Sequence, residues 1–170
     1  MKQASKPNVF PSGATLIEAV IAVGVLAVAV PLVLGTIAEA GKSGMAAEAE
    51  TRSTWMISTC MVEINASRTG QSRYFPATVI GQAFPTAGDV WALAFSPEGK
   101  LVGKLSKSLH DTGTKELDGQ PIRFIAVLSA TAPASTTDGV PMLNTRVSIQ
   151  YPAAAPVAKR GKLDYHTRIP

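Results

Sequence analysis

Few residues in this 170-residue chain have types and spacings that suit chemistry, and they are scattered. The most unusual is Glu18, which stands directly ahead of twenty consecutive uncharged residues, Ala19 to Ala38. A charge in a membrane helix costs roughly 2.5–3.5 kcal/mol at the helix centre and less near an end. A carboxylate kept there therefore calls for a cation to pair with. The other candidates read more blandly. His110 stands before a loop and His166 falls on the polar side of an alternating run, so both are expected at the surface. Cys60 is the single cysteine, which excludes an intrachain disulfide. It falls on an apolar helical stripe and is expected as core rather than as a reactive thiol. Asp111, Glu116, Asp118 and Asp138 lie near turns and do not converge in sequence. Gly41-Lys42-Ser43-Gly44 contains Gly-Lys-Ser but lacks the upstream glycine of a phosphate loop, and no G-x-S-x-G or H-E-x-x-H occurs. The expectation is a chain that is not an enzyme and has no cofactor and no metal.

The elements that must position Glu18 dominate the first part of the chain. At 1.5 Å per residue the uncharged run spans about 30 Å, the hydrocarbon thickness of a bilayer. Lys2 and Lys6 precede it, and Glu39, Glu48 and Glu50 follow. This bias predicts a cytoplasmic N-terminus, with the bulk of the chain on the other side of the membrane. Net charge is +4 and thinly spread, with no run of five or six like charges, so nucleic acid is not an expected partner. Lys159-Arg160-Gly161-Lys162 reads as a solvated loop.

Two processing schemes fit the front of the chain. A secretory signal would be cut after its apolar core, at a small-x-small site such as Ala27-Val28-Ala29, leaving a soluble product. The other scheme cuts between Gly13 and Ala14 and keeps the helix. Glu18 favours the second. A disposable signal has no use for the carboxylate, whereas a retained helix could pair it with the new amine of Ala14 on a neighbouring copy.

Gly13-Ala14-Thr15-Leu16-Ile17-Glu18, followed by Ala-Val-Ile-Ala-Val, resembles the prepilin signature of type IV pilins and type II secretion pseudopilins. The resemblance implies a dedicated prepilin peptidase that cuts after Gly13 and N-methylates the new terminus, and a role for Glu18 in subunit registration. Ala14 departs from the Phe or Met usual at the first mature position, which bears on methylation. The implied partners are that peptidase, other pilin or pseudopilin subunits, an inner-membrane assembly platform and membrane lipid. Some pseudopilins bind calcium in a C-terminal loop, but the acids here do not gather for it.

The expected organisation is a leader at 1–13, a transmembrane or filament-core helix at 14–38, its amphipathic continuation at 39–68, and a periplasmic β-sheet domain at 69–170. Pro31 should kink or melt the helix near Val28–Pro31, or else it is a tolerated membrane proline without a role. Gly35, Gly41 and Gly44 weaken the helix beyond it. Met45, Ala49, Met56, Cys60 and Ile64 share one face of the continuation, while Trp55 and Val62 share a second apolar side. Ser67–Ser72, with Gly70, ends the helix.

The rest alternates short β-prone runs with turns. Thr78-Val79-Ile80 is a candidate strand. Val90–Phe95 and Lys100–Leu105 flank a Ser96-Pro97-Glu98-Gly99 turn. Ile122–Ser129 is apolar on both faces and is placed centrally. In the last two strands Thr145, Val147, Ile149 and Tyr151 face a core, as do Leu163, Tyr165, Thr167 and Ile169, with Ser148 and Gln150 on a wet face. The predicted class is α+β: one long N-terminal helix packed on an antiparallel sheet of four to six strands. The Phe95–Gly99 turn and Tyr151-Pro152-Ala153-Ala154-Ala155-Pro156 resemble a minor-pilin-like family named Verru_Chthon cassette protein B. The rival reading is a single-pass, membrane-anchored binding domain that never polymerises.

Overall fold

The computed structural model describes residues 15–79, 81–132 and 142–169. The predicted cut between Gly13 and Ala14, as well as Ile80 and Asp138, lies outside the described residues. The class is α+β. A 53-residue helix, α1 (Leu16–Arg68), precedes a five-stranded antiparallel sheet and packs on it. The chain divides into two compact units, Met1–Lys42 and Ser43–Pro170.

In the second unit the strands are β1 (Trp91–Phe95), β2 (Leu101–Leu105), β5 (Phe124–Thr131), β6 (Leu143–Tyr151) and β7 (Gly161–Ile169), in the spatial order β2-β1-β5-β6-β7. A two-stranded ribbon of β3 (Glu116–Leu117) and β4 (Gln120–Pro121) and a short helix α2 (Lys107–Thr112) lie between β2 and β5 in sequence. β5, whose Phe124–Leu128 stretch is apolar on both faces, takes the central position of the sheet. The β1–β2 turn closes through Gly99, whose N–H donates to Ser96 O at 2.9 Å with φ +81°, a value glycine adopts without a Cβ penalty.

Ala49, Met56, Cys60 and Ile64 of α1 are fully buried against Trp91, Leu93, Phe95, Phe124, Leu128, Val147 and Ile149 from the near face of the sheet. Burial of Cys60, with Glu63 close by, pushes its thiol up to about 12. Polar contacts fix the helix angle. Tyr165 Oη donates to Ser53 Oγ at 2.8 Å, and Glu48 Oε2 pairs with Arg123 at 2.7 Å. The helix ends as its glycine predicts: Gly70 takes φ +69°, and the N–H groups of Gln71 and Ser72 both reach Ala66 O. Beyond the turn, Trp91 stacks between Phe75 and Phe84 with centroids at 4.4 and 4.6 Å.

The far face of the sheet differs from the sequence expectation. Ala92, Ala94, Ile122, Ile125 and Leu105 form a second apolar cluster there with Ala153. Ser148 and Gln150, expected wet, are buried, as are His110 and Arg160, expected exposed. One feature explains the last three. Arg160 Nε donates to Ala155 O at 2.7 Å, its Nη1 to Gln150 Oε1 at 3.0 Å and its Nη2 to the carbonyl of His110. A single guanidinium fork thus ties α2, the 152–160 connection and β6 together. Gly113, just after α2, lets the connection close in, since a Cβ there would stand 2.5 Å from Ala155 O. Thr78 and Val79 are not a strand, because Thr78 N–H is spent on Ser67 O at the helix end. His166 is exposed as expected.

Candidate functional site

The first unit contributes the amino-terminal part of α1. Its described residues up to Lys42 are exposed, apart from a half-buried Ala29. Leu16, Ile17, Val20, Ile21, Val23, Val25, Leu26 and Val28 are all more than half exposed. By length and composition this stretch is apolar enough to cross a membrane, and none of it is buried by the chain itself. The expected melting near Val28–Pro31 does not occur, and neither Pro31 nor Gly35, Gly41 and Gly44 interrupts the helix. Pro31 has no N–H, so the Ala27 carbonyl one turn earlier has no helical donor. On one side of the helix Gly24 floors a notch walled by Ile21, Val25, Val28, Ala29 and Leu32.

At the start of α1, Thr15 N–H donates to Glu18 Oε2 at 3.3 Å, and Glu18 N–H donates to Thr15 Oγ1 at 3.4 Å. This reciprocal pair is a capping box, and it satisfies two backbone donors that the first helical turn leaves without partners. Glu18 therefore has a partner inside its own chain as well as the intermolecular one inferred for it. The signal was present as Thr15-x-x-Glu18, a capping-box spacing directly ahead of an apolar run.

In the second unit, α1 turns an unusual face to solvent. Between Thr51 and Asn65 every exposed residue of the helix is uncharged: Thr51, Thr54, Trp55, Ser58, Val62 and Asn65. Trp55 is 76% exposed and Val62 62%. Solvent faces of surface helices normally carry charge. Charge borders this face at one end, where Glu48 and Arg52, paired at 3.4 Å, and Glu98 line the same shallow depression as Thr51 and Trp55.

Among the described residues no group of three or more His, Cys, Asp or Glu gathers closely enough to hold a metal ion. His110 Nδ1 lies 2.9 Å from Asp111 Oδ1, while its buried Nε2 has no hydrogen-bond partner among the described residues. No protein-family model, no curated protein and no solved structure matches the chain.

Proposed function

We propose that this chain is a minor pilin-like or pseudopilin-like subunit, a structural component of a type IV pilus or type II secretion-like filament. In this reading a prepilin peptidase cuts it after Gly13, and it waits in the inner membrane until an assembly platform lifts it into the filament. The observation that carries the reading is the division of labour along α1. One uninterrupted helix offers an uncharged apolar surface over one part of its length, and its other part is bolted to a sheet domain by core packing and by Glu48, Ser53 and Tyr165. Such a helix can leave lipid for a bundle of like helices at little cost, because both surroundings are apolar. The chemistry is non-covalent and needs no cofactor.

Glu18 fits as an exchangeable group. Its cap bonds are long, at 3.3 and 3.4 Å, whereas a neighbour's Ala14 amine would offer the carboxylate an opposite full charge together with a hydrogen bond. The subunit would hold its own helix start while alone and trade that contact on assembly. N-terminal sequencing of the mature protein tests the processing: a start at Ala14 is expected, and a start at Val30 overturns the reading. A Gly13 substitution should leave an uncut precursor.

The capping box also favours a second reading, a non-polymerising membrane-anchored domain in which Glu18 only caps its helix. Glu18→Gln separates the two, since glutamine serves a capping box but carries no charge. Filament entry lost in Glu18→Gln supports the pairing role; normal entry assigns Glu18 to capping alone.

A further inference from the structure

We propose that the outer edge of β7 receives an extended segment of another protein, one whose side chains alternate between acidic and apolar, and that this segment adds to the sheet as a further antiparallel strand. The sheet has two edges, and they are built differently. β2 is five residues long, its partner β1 shifts register between Ala94 and Phe95, and Leu117 of the β3–β4 ribbon lies against Gly103. Shortness, a bulge and a covering element all keep an edge from pairing with a stranger. β7 has none of the three. It runs nine residues without a proline, and its register with β6 is unbroken from Leu143 opposite Ile169 to Tyr151 opposite Gly161. Among the described residues β6 is its only strand neighbour. Along about 30 Å of strand, every second residue therefore turns its N–H and C=O outward.

The side chains of β7 select the occupant. Lys162, Asp164, His166 and Arg168 stand exposed on one side of the strand. Arg146 of β6 holds Asp164 at 2.7 Å, while Lys162 and Arg168 form no ion pair among the described residues. The edge is thus cationic toward both ends, and its one acid is already partnered. An acidic side chain on an added strand gains a cross-strand pair opposite Lys162 or Arg168, and a basic one there is repelled. On the other side Leu163 and Tyr165 are half-buried and pack on the core beneath α1. Apolar side chains one position along from the acids would cover what these two leave exposed, since successive side chains of a strand point to opposite faces. Backbone pairing supplies the affinity, and the alternation supplies the choice of partner. A second copy fits poorly, because two β7 strands paired antiparallel over their full length set Lys162 against Arg168 at both ends. The edge is open whether or not the chain enters a filament.

The test uses the full chain in detergent and labelled peptides as long as β7, read by fluorescence anisotropy. A peptide alternating glutamate and valine should bind about tenfold tighter or more than one alternating lysine and valine. Lys162→Glu combined with Arg168→Glu, both at exposed positions, should invert that order in a chain that still melts cooperatively. N-methylation of the acidic peptide separates strand addition from charge attraction, because an added strand spends only one of its own edges on β7. Methyl groups on one alternate set of its nitrogens should abolish binding, and on the other set leave it. With the acidic peptide bound, alternate amides of β7 should exchange more slowly. If both methylated peptides still bind, or no β7 amide slows, the proposal is overturned. Equal binding of the acidic and basic peptides also overturns it. So do disulfide dimers of the peptide-free chain through Thr167→Cys, which would put a second copy on the edge; Cys60 is buried and stays out of that reaction. None of these outcomes bears on the filament reading, which N-terminal sequencing tests separately.

Discussion

The two stretches of α1 solve opposite problems with similar residues. From Ser43 to Arg68 the helix finds its apolar partner inside the chain: Ala49, Met56, Cys60 and Ile64 meet the sheet, and charged residues line the edges of that stripe. From Leu16 to Lys42 the apolar residues surround the whole helix and lie exposed among the described residues, and charge is confined to Glu18 at the start and the exposed Glu39–Lys42 pair at the far end. A helix apolar on one stripe is completed by one sheet. A helix apolar all round can be completed only by a medium or by several neighbours. The difference lies in the angular spread of hydrophobicity rather than its amount, and it separates the part that the sheet covers from the part left exposed.

The sharpest way to break that contrast is a matched pair of truncations. Met56→Ala should cost about 2–5 kcal/mol in denaturant unfolding of the full chain in detergent, as a large side chain removed from a closed core does. Leu26→Ala should leave the same transition within about 0.5 kcal/mol. Equal losses would mean that the uncovered stretch is part of the domain's core after all.

The buried thiol offers a second contrast. The folded-state value of Cys60 is raised above that of an unfolded chain, so its contribution is complete below about pH 9 and is lost as pH climbs toward 12. Stability should fall by up to about 4 kcal/mol across that window, on 1.36 kcal/mol per unit. Cys60→Ala should flatten this alkaline slope in a pH series of melts. A native Cys60 that reacts with iodoacetamide at pH 8 would contradict the burial that distinguishes this half.

Arg160→Ala should destabilise the sheet domain by about 2–3 kcal/mol, because Gln150 Oε1 and two carbonyls lose their donor in a buried place. Arg160→Lys should recover only part, since one ammonium cannot reproduce the planar fork. Chemical denaturation of the two variants checks this. At the other end of α1, Glu18→Ala should fray the first turn at a cost of about 0.5–1 kcal/mol while Glu18→Gln does not, read from amide exchange at Glu18 and Ala19.

The smallest effect belongs to an exposed pair on the β6–β7 edge. Arg146 donates to Asp164 at 2.7 Å and holds that carboxyl below the usual value. The contribution is present above about pH 4 and fades as the carboxyl is protonated below it. In this wet setting Asp164→Asn should cost under about 1 kcal/mol, measured as a melting shift at pH 7 that shrinks as pH falls below about 4.

Much of the fold was legible because each element stated its own period. The uncharged run marked the exposed helix, the Met56–Cys60–Ile64 stripe marked the covered one, and strict alternation marked β6 and β7. What could not be read came from contacts distant in sequence. Gln150 and Ser148 looked like a wet face because nothing in β6 announces that a later connection will fold over it. His110 and Arg160 looked solvated because their burial depends on each other, 50 residues apart. The helix α2 was signalled only by Ser106, whose Oγ accepts from Leu109 N–H. The β3–β4 ribbon turned on Asp118-Gly119, a recognisable hairpin pair between strands of only two residues each. At the candidate site the Thr15-x-x-Glu18 spacing is legible in the sequence, but a carboxylate that caps its own helix and one that pairs with another molecule leave the same trace there.

The aromatic stack around Trp91 has an optical consequence. The chain has two tryptophans, one sealed between Phe75 and Phe84 and the other standing in water at position 55. Their emission should separate, with a blue-shifted, quencher-resistant component from Trp91 and a red-shifted, acrylamide-sensitive one from Trp55. The first reports whether the domain is folded, and the second whether anything has covered the helix. The two events can then be followed in the same cuvette without a label.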